Sequence, residues 1–298
     1  MRLSGMMLVV FALAGVMAQG GPGTTTAAQR AGLSGPVAHV LTEEESEDVA
    51  RRARSEARYD EAGQLQELVS YAYDFRDGSL RSRSVTTYDG GRQLLRETTD
   101  AAGDVIATTL YRYDGHDRLV EVITYDASGA VSARQTSAYD AAGRLVRHEE
   151  HRGAGLIRAQ DLTYRDDGTP HTHELYDGDG TLLWARAYAY GGLSYEELDY
   201  DDDGAVERRS AVRLDERGEV VEVLEFDEDG AVVERATYTY DERGVLVEDR
   251  WETDLTGRPS QYVTEYAYEF DDRGSWTIRR TIEFGEIVST LFRTISYR

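Results

Sequence analysis

The stretch YDAAGRL, residues 139–145, contains the pattern that decides the fold. It consists of an aromatic residue, an acid, two small or polar residues, a glycine and, two positions later, an aliphatic residue. Asp accepts hydrogen bonds from backbone amides two residues on, and Gly tolerates positive φ. The pattern Asp-x-x-Gly therefore predicts a type I turn that ends in a left-handed residue. Because the aromatic and the aliphatic residue flank this turn with the same parity, we expect them to pair across a β-hairpin.

The same pattern recurs from Tyr59 to the end of the chain. Aligned on its last position, it advances by about 13 residues per unit between residues 63 and 274, and a short fixed period is typical of repeat architectures. The segments between turns are rich in Val, Thr and Tyr, which favour strands. Clear copies are Tyr59–Gly63, Tyr125–Gly129, Tyr139–Gly143, Tyr176–Gly180, Tyr200–Gly204, Phe226–Gly230, Tyr240–Gly244 and Phe270–Gly274.

These units predict an all-β protein, an elongated antiparallel β-meander of about seventeen strands. Open twisted sheets rarely exceed about ten strands without curling or splitting. We therefore expect the meander to curl into a trough, a shell or a superhelix, with the terminal units acting as caps. The 20 Tyr residues either pack across hairpins or offer stacking surfaces for sugars.

The N-terminal residues predict export. Residues 1–18 combine Arg2, an apolar run too short to span a bilayer, and small residues at Val16 and Ala18, which indicates a signal peptide cleaved after Ala18. Because the chain has no Cys, it has neither a lipobox cysteine for lipid attachment nor a disulfide. We expect a secreted, periplasmic or cell-envelope protein with no membrane span after signal cleavage.

The segment before the repeats predicts two further pieces. Residues 19–41 are rich in Gly, Thr, Ala and Ser, which is typical of a flexible linker. Thr42 and Glu45 have capping-box spacing, so residues 42–58 predict a short capping helix. The alternative is that residues 54–58 already belong to the first strand. Residues 59–298 form the repeat domain, with a closing unit at 270–298.

The charge balance limits the possible partners. The chain has 33 basic and 56 acidic residues, a net charge of −23. A field of this sign repels phosphate backbones and anionic headgroups, so we expect no nucleic-acid partner. A Gly-x-Ser-x-Gly motif and a phosphate-binding loop are both missing from the sequence, and paired carboxylates carry no signal in so acidic a chain. We therefore predict that the protein is not an enzyme and has no catalytic or cofactor-binding residues.

Two groups of residues are weak candidates for metal ligands. Asp199, Asp201 and Asp203 precede Gly204 with the spacing of the first half of an EF-hand loop, although Ser210 replaces the final bidentate Glu. Alternate turns of a meander share an edge, so the acidic turns ending at 180, 204 and 230 would form an acidic rim that attracts Ca²⁺. The alternative is that Asp simply opens the turn. The second group is the histidines at 148, 151, 171 and 173, which we expect to be solvated strand residues rather than metal ligands.

The string at residues 139–145, with a weaker copy at 114–119, resembles the YD-repeat of bacterial RHS-type proteins. The segment at residues 270–284 is similar to the Gly-Asn-Trp closing unit of small secreted members, with Ser275 in place of Asn. The resemblance covers residues 59–298. It implies an exported repeat protein of a family that includes toxin shells and surface adhesins, but this chain is too small to enclose a cargo domain and has no Asp-Pro cleavage motif.

These observations predict a non-enzymatic secreted or envelope-associated repeat protein. It would act as a binding or scaffold module for a protein or glycan partner at the cell surface. The alternative function is an accessory or orphan shell fragment of an RHS-type polymorphic-toxin or contact system.

Overall fold

A computed structural model describes residues 31, 33–46, 53–74, 77–253 and 260–298. The predicted signal peptide and most of the predicted linker lie outside these residues. The described part contains twenty strands, and none of its residues forms a helix. The strands are β1 (Val37–Ser46), β2 (Arg54–Tyr59), β3 (Leu65–Tyr73), β4 (Leu80–Asp89), β5 (Arg92–Asp100), β6 (Val105–Tyr113), β7 (Leu119–Asp126), β8 (Val131–Tyr139), β9 (Leu145–Arg152), β10 (Gly155–Tyr164), β11 (Pro170–Asp177), β12 (Leu182–Tyr190), β13 (Ser194–Tyr200), β14 (Val206–Leu214), β15 (Val220–Phe226), β16 (Val232–Tyr240), β17 (Leu246–Thr253), β18 (Ser260–Phe270), β19 (Trp276–Glu283) and β20 (Glu286–Tyr297).

The sheet is a closed antiparallel barrel. Every strand pairs with its neighbours in sequence, and β1 pairs with both β2 and β20. The pairing of β1 with β20 extends from Val37 opposite Tyr297 to Ser46 opposite Ser289. The all-β hairpin meander is confirmed, but the expected trough or superhelix is wrong. Closure satisfies the backbone groups that an open sheet would leave unpaired at its two edges.

The predicted helix at residues 42–58 is also wrong. Thr42 lies in β1 opposite Ser55 of β2 on one side and Arg293 of β20 on the other. The capping-box spacing is a weak local signal, and the backbone pairing that closes the barrel overrides it. The chain has more strands than predicted because β1 and the turn at residues 284–285 lack the Asp-x-x-Gly pattern.

The predicted turn and register are confirmed. In the unit at residues 139–145, Tyr139 lies opposite Leu145. The Asp140 carboxylate accepts the amides of Ala142 and Arg144 at 2.9 Å each. Gly143 donates its amide to the Asp140 carbonyl at 3.0 Å and has φ +85°. These contacts define a type I turn followed by a left-handed glycine.

The turns alternate between two ends of the barrel because each strand reverses the direction of the chain. We call the end with the turns after even-numbered strands the basal end, and the end with the turns after odd-numbered strands the rim end. The acidic turns ending at 180, 204 and 230 follow β11, β13 and β15, so all three lie at the rim end. Among the residues with described positions, no helix is long and apolar enough to cross a membrane.

One face of the strands is more buried than the other. On β14, Ser210 and Val212 are buried, whereas Arg209 and Arg213 on either side of them are exposed. Side chains on the concave side of a closed sheet converge, so the buried face lines the interior of the barrel. Two apolar clusters lie on it, and one of them includes residues of the segment before β1. These clusters are Tyr188, Tyr195, Val212, Val223 and Ala236, and Leu33, Val37, Val40 and Tyr59.

Candidate functional site

The basal end carries a ring of aromatic residues. Nine of the ten even-numbered strands have an aromatic residue at or next to their last position, and β14 has Leu214 instead. Seven of these rings lie against an arginine guanidinium from the preceding basal turn. The distances from the guanidinium carbon to the ring centre are Arg92–Tyr113 5.8 Å, Arg118–Tyr139 4.9 Å, Arg144–Tyr164 4.7 Å, Arg165–Tyr190 5.4 Å, Arg217–Tyr240 5.9 Å, Arg243–Phe270 4.2 Å and Arg273–Tyr297 4.2 Å. We call these fourteen residues the basal ring.

Each link of the basal ring joins two neighbouring hairpins. Arg144 pairs with Asp140 of its own turn at 2.7 Å and donates to the carbonyl of Arg165 in the next basal turn at 3.3 Å. In return, the Tyr164 hydroxyl donates to the Leu145 carbonyl at 2.7 Å. The ring face is therefore covered by a guanidinium and the hydroxyl is bonded, which supports the packing interpretation of these tyrosines over sugar stacking.

The arginines of the basal ring also lower the pKa values of the turn carboxylates. Hydrogen bonding from the Arg118 side chain lowers the pKa of Asp114 to about 2. Backbone amides and the Arg144 guanidinium lower the pKa of Asp140 in the same way. Asp114 and Asp140 therefore remain ionised at any pH near neutrality, and their two turns keep the ion pairs with Arg118 and Arg144.

The segment before β1 closes the basal ring. The Ser34 amide donates to the Ser275 hydroxyl at 2.7 Å, and that hydroxyl lies 2.9 Å from the Tyr297 hydroxyl. Ser275 is fully buried. The side chain of Arg298 donates to the backbone carbonyls of Tyr59 and Asp60. The two chain termini of the described region are thus tied to the same end of the barrel.

The interior wall between β12 and β16 carries a chain of buried ion pairs. Arg186 contacts Glu197 at 2.8 Å and Asp199 at 2.5 Å, and Arg208 contacts Asp199 at 2.7 Å and Glu225 at 3.3 Å. Burial acts to raise the pKa of Asp199, but hydrogen bonds from Arg186 and Arg208 hold that pKa below its ordinary value. Burial raises the pKa of Glu197 despite its contact with Arg186.

Beside this chain lies a small cavity of about 30 Å³ with a mixed polar and apolar lining, which is room for one or two water molecules. Glu225 and Glu234 lie opposite each other in the ladder on its wall. Burial raises the pKa of both carboxyls. The cavity is lined by Glu197, Arg208, Ser210, Val212, Val223, Glu225, Glu234, Ala236, Tyr238 and Trp251. Its volume suits hydration of the buried charges.

The three calcium candidates have different surroundings. Asp199 lies on the interior wall between two arginines. One Asp201 oxygen accepts the amides of Asp203 at 3.1 Å and Ala205 at 2.8 Å, as a turn-opening Asp does. Asp203 is exposed. Among the described residues no group of three or more His, Asp or Glu side chains has an arrangement that holds a metal. Calcium binding stays a prediction.

The histidines are not uniformly solvated. The His173 ring packs edge-on against Trp184 at 4.9 Å and lies 3.0 Å from the Gln160 side chain. Burial lowers the pKa of His173 to about 4 and also lowers the pKa of His148. His151 lies 3.4 Å from Glu149. We interpret these side chains as packing and ion-pair residues of the barrel wall.

The rim end exposes apolar side chains. Of the thirteen large hydrophobic residues that are exposed in the described part of the chain, ten lie at the rim end. Each of the ten lies in a rim turn or within the first three residues of the strand that follows one. We call them the rim collar: Val105, Ile106, Val131, Ile157, Leu183, Val206, Val232, Tyr262, Phe284 and Ile287.

Comparison with known proteins gives no family. No family model and no curated protein matches the chain, so the YD-repeat likeness remains a resemblance. Among solved structures, a porin-like protein from Bacteroides uniformis matches 88% of this chain and 99% of that one, at 12% identity and a TM-score of 0.42. A porin-like protein from Bacteroides vulgatus matches 89% and 99%, at 10% identity and a TM-score of 0.30. A TcdB2–TccC3–Cdc42 complex matches 80% of this chain but 14% of that one, at 16% identity and a TM-score of 0.36.

Neither the basal ring nor the rim collar was predicted from the sequence. The signal for the ring was present, because Arg occurs in alternate Asp-x-x-Gly turns, as at Arg118, Arg144 and Arg217. Most rim turns between them contain Ala, Ser, Thr and Asp instead, as at residues 127–130 and 201–205, although the turn at residues 74–78 contains Arg76. Arginine is therefore enriched in one of the two alternating sets of turns.

Proposed function

We propose that the protein is a non-enzymatic, exported binding and scaffold module that holds a macromolecular partner at its rim end. The observation that carries this proposal is the concentration of exposed apolar side chains in the rim collar. Exposed apolar patches on a protein surface are typical of interaction sites. The predicted signal sequence at residues 1–18 supports export to the envelope or the medium.

The basal ring supports the same assignment. Its arginines and aromatic residues contact each other and tie neighbouring hairpins together at that end of the barrel. A barrel whose hairpins are linked together at the basal end can hold the exposed rim collar in a fixed geometry. Loops positioned by a rigid scaffold are common carriers of binding function.

Cysteine footprinting tests the proposal, because the chain has no Cys of its own. Val131→Cys and Val206→Cys place single thiols in the rim collar. Leu94→Cys and Leu193→Cys place matched thiols at the basal end, where the exposed fractions are 42% and 51% against 42% and 52% at the rim. Each variant is labelled with a maleimide in the producing cells and again after purification.

We expect the rim thiols to be protected in the cells and reactive after purification, while the basal thiols react equally in both. Equal labelling of rim and basal thiols in the cells would contradict binding at the rim end.

A further inference from the structure

The rim collar lies directly beneath a layer of acidic turn tips. The rim turns at residues 100–104, 126–130, 177–181, 201–205 and 227–231 contain no arginine, and their exposed carboxylates lie at the same end as the collar. The exposed acids of the rim turns and the adjacent strand ends are Asp77, Asp104, Asp126, Asp179, Asp202, Asp203, Asp227, Glu228, Asp229 and Glu286. The rim end therefore combines apolar surface with concentrated negative charge.

One collar residue is held in an unfavourable backbone conformation. Phe284 and Gly285 form the two-residue turn between Glu283 and Glu286, with φ +53° and +80°. Such a turn favours Asn-Gly, because a bulky side chain is strained at positive φ. The Phe284 side chain is nevertheless 80% exposed, and its contact is the neighbouring exposed ring of Tyr262, 6.4 Å away between centres. A strained, exposed aromatic residue suggests a binding role rather than a folding role.

We propose that the rim collar docks a cationic polypeptide segment in which apolar side chains alternate with Arg or Lys. The inference rests on the proposed function and adds the chemistry of the partner. Apolar side chains of the partner would cover the collar while its cations meet the turn carboxylates. Charge complementarity of this kind selects partners and accelerates their encounter. Anionic partners are disfavoured by the same acids and by the net charge of −23.

The closed topology defines how this segment binds. Every described strand is paired on both sides, so the segment has no free strand edge to extend. Its recognition therefore depends on side chains of the collar and of the turn tips, and substitutions at those positions test it directly.

The probe is a fluorescent peptide of alternating Leu and Arg, titrated with the purified barrel and followed by anisotropy. A peptide of alternating Leu and Glu is the control. We expect the Leu-Arg peptide to bind at least about tenfold more tightly, with an affinity that falls as salt rises. The combined variant Val131→Ser, Val206→Ser and Val232→Ser should weaken binding about tenfold or more. The matched basal variant Leu94→Ser and Leu193→Ser should bind like the parent.

A charge control separates docking from general attraction. Asp202→Ser with Glu228→Ser removes two exposed rim charges, while Asp201 and Asp227 still hold the turn amides. Glu216→Ser with Glu242→Ser removes two exposed basal charges. We expect only the rim pair to weaken binding, by about threefold or more. Equal losses from both pairs would show that the peptide senses net charge alone and would overturn the inference.

Phe284→Asn separates binding from folding. Because Asn tolerates positive φ, we expect this variant to unfold at a higher urea concentration than the parent while binding the Leu-Arg peptide less tightly. Unchanged peptide affinity would contradict a docking role for Phe284. Rim thiols that are protected in cells, together with failure of the Leu-Arg peptide to bind, would retain the proposed function and refute the cationic partner. Charge-independent binding to phosphatidylcholine vesicles through the collar would identify a lipid surface instead and would also refute it.

Discussion

The basal and rim ends of the barrel use the same turn but differ in what the turn holds. At the basal end, Asp140 accepts the amides two and four residues on, and at the rim end Asp126 does the same. The residue after the glycine is Arg144 in the first turn and Ala130 in the second. The Asp-x-x-Gly contacts therefore set the local backbone, whereas the flanking residue decides whether neighbouring hairpins are tied together.

The aliphatic residue of each unit is buried to a different extent at the two ends. Leu145 at the basal end is half-buried beside the Tyr164 hydroxyl that bonds its carbonyl. Val131, in the equivalent place at the rim end, is 42% exposed. The same sequence pattern thus contributes to packing at one end and to exposed surface at the other.

The largest expected difference between the ends concerns the turn tyrosines. Tyr164→Ala removes a half-buried ring, its contact with Arg144 and its hydroxyl bond, so we expect a loss of about 2–3 kcal/mol in the free energy of unfolding. Tyr200→Ala, at the matched rim position opposite Val206, removes a half-buried ring that has no counterpart of the Arg144 contact among the described residues, so its loss should be smaller by about 1 kcal/mol. Urea unfolding measures both. Equal losses would mean that the basal ring does not stabilise its end.

Replacing a turn glycine should cost the same free energy of unfolding at both ends, in contrast to replacing a turn tyrosine. Gly230 at the rim and Gly244 at the base have φ +81° and +79°. Gly230→Val and Gly244→Val should each cost about 1 kcal/mol or more, because a side chain is strained at positive φ. A Cβ at Gly230 would meet nothing within 4 Å, so its cost is conformational.

Glu228→Ala lies in the same rim turn and should change the free energy of unfolding by less than about 0.5 kcal/mol. Midpoints for Gly230→Val and Glu228→Ala that coincide would show that this glycine is not the turn hinge.

The local units could be predicted from the sequence, but the closed architecture could not. Asp, Gly and the paired aromatic and aliphatic residues act within one hairpin, so a local pattern such as residues 139–145 is sufficient to define them. Closure depends on β1 and β20, whose partners are more than 240 residues apart in contacts such as Ser289 with Glu44. The acid-rich residues 42–46 have helical spacing, and pairing with β2 and with the distant β20 makes them a strand. The rim collar was missed for the same reason, since its members are single residues in separate units.

The turns and the interior wall should respond differently to pH. Turn acids at both ends have lowered pKa values, about 2 for Asp114 at the basal end and below the ordinary value for Asp126 at the rim end, because of side-chain and amide hydrogen bonds. Their contribution is present above the ordinary value of 3.8 and is lost as pH falls through the lowered pKa. Burial raises the pKa of Glu225 and Glu234, on strand residues near the rim, above 4.5. Their ionisation in the folded protein therefore removes stability as pH rises through the raised values.

As pH falls from neutrality, protonation of Glu225 and Glu234 should add to the free energy of unfolding, whereas the lowered pKa of His173, about 4, should subtract from it below the ordinary value of 6.5. The combined variant Glu225→Gln and Glu234→Gln should remove the first contribution from the neutral part of this profile and leave the acid part, below pH 3.8, unchanged. Asp114→Asn should reduce only the fall in the free energy of unfolding at acid pH. A neutral slope identical to that of the parent in the Gln variant would contradict the assignment to the interior wall.

The smallest expected effect concerns calcium at the rim turn that contains Asp201. Asp201→Ala removes the oxygen that accepts the amides of Asp203 and Ala205, so we expect a loss of about 0.5–2 kcal/mol by analogy with other capping hydrogen bonds. Asp202→Ala, beside it, should change little. If the turn contacts account for the effect, the loss is the same in millimolar Ca²⁺ and in chelator. If Asp199, Asp201 and Asp203 bind the ion together, Ca²⁺ raises the midpoint of the parent and enlarges the loss in Asp201→Ala. Binding through Asp199 would also have to displace Arg186 and Arg208 from that carboxylate, and this competition favours the result without calcium dependence.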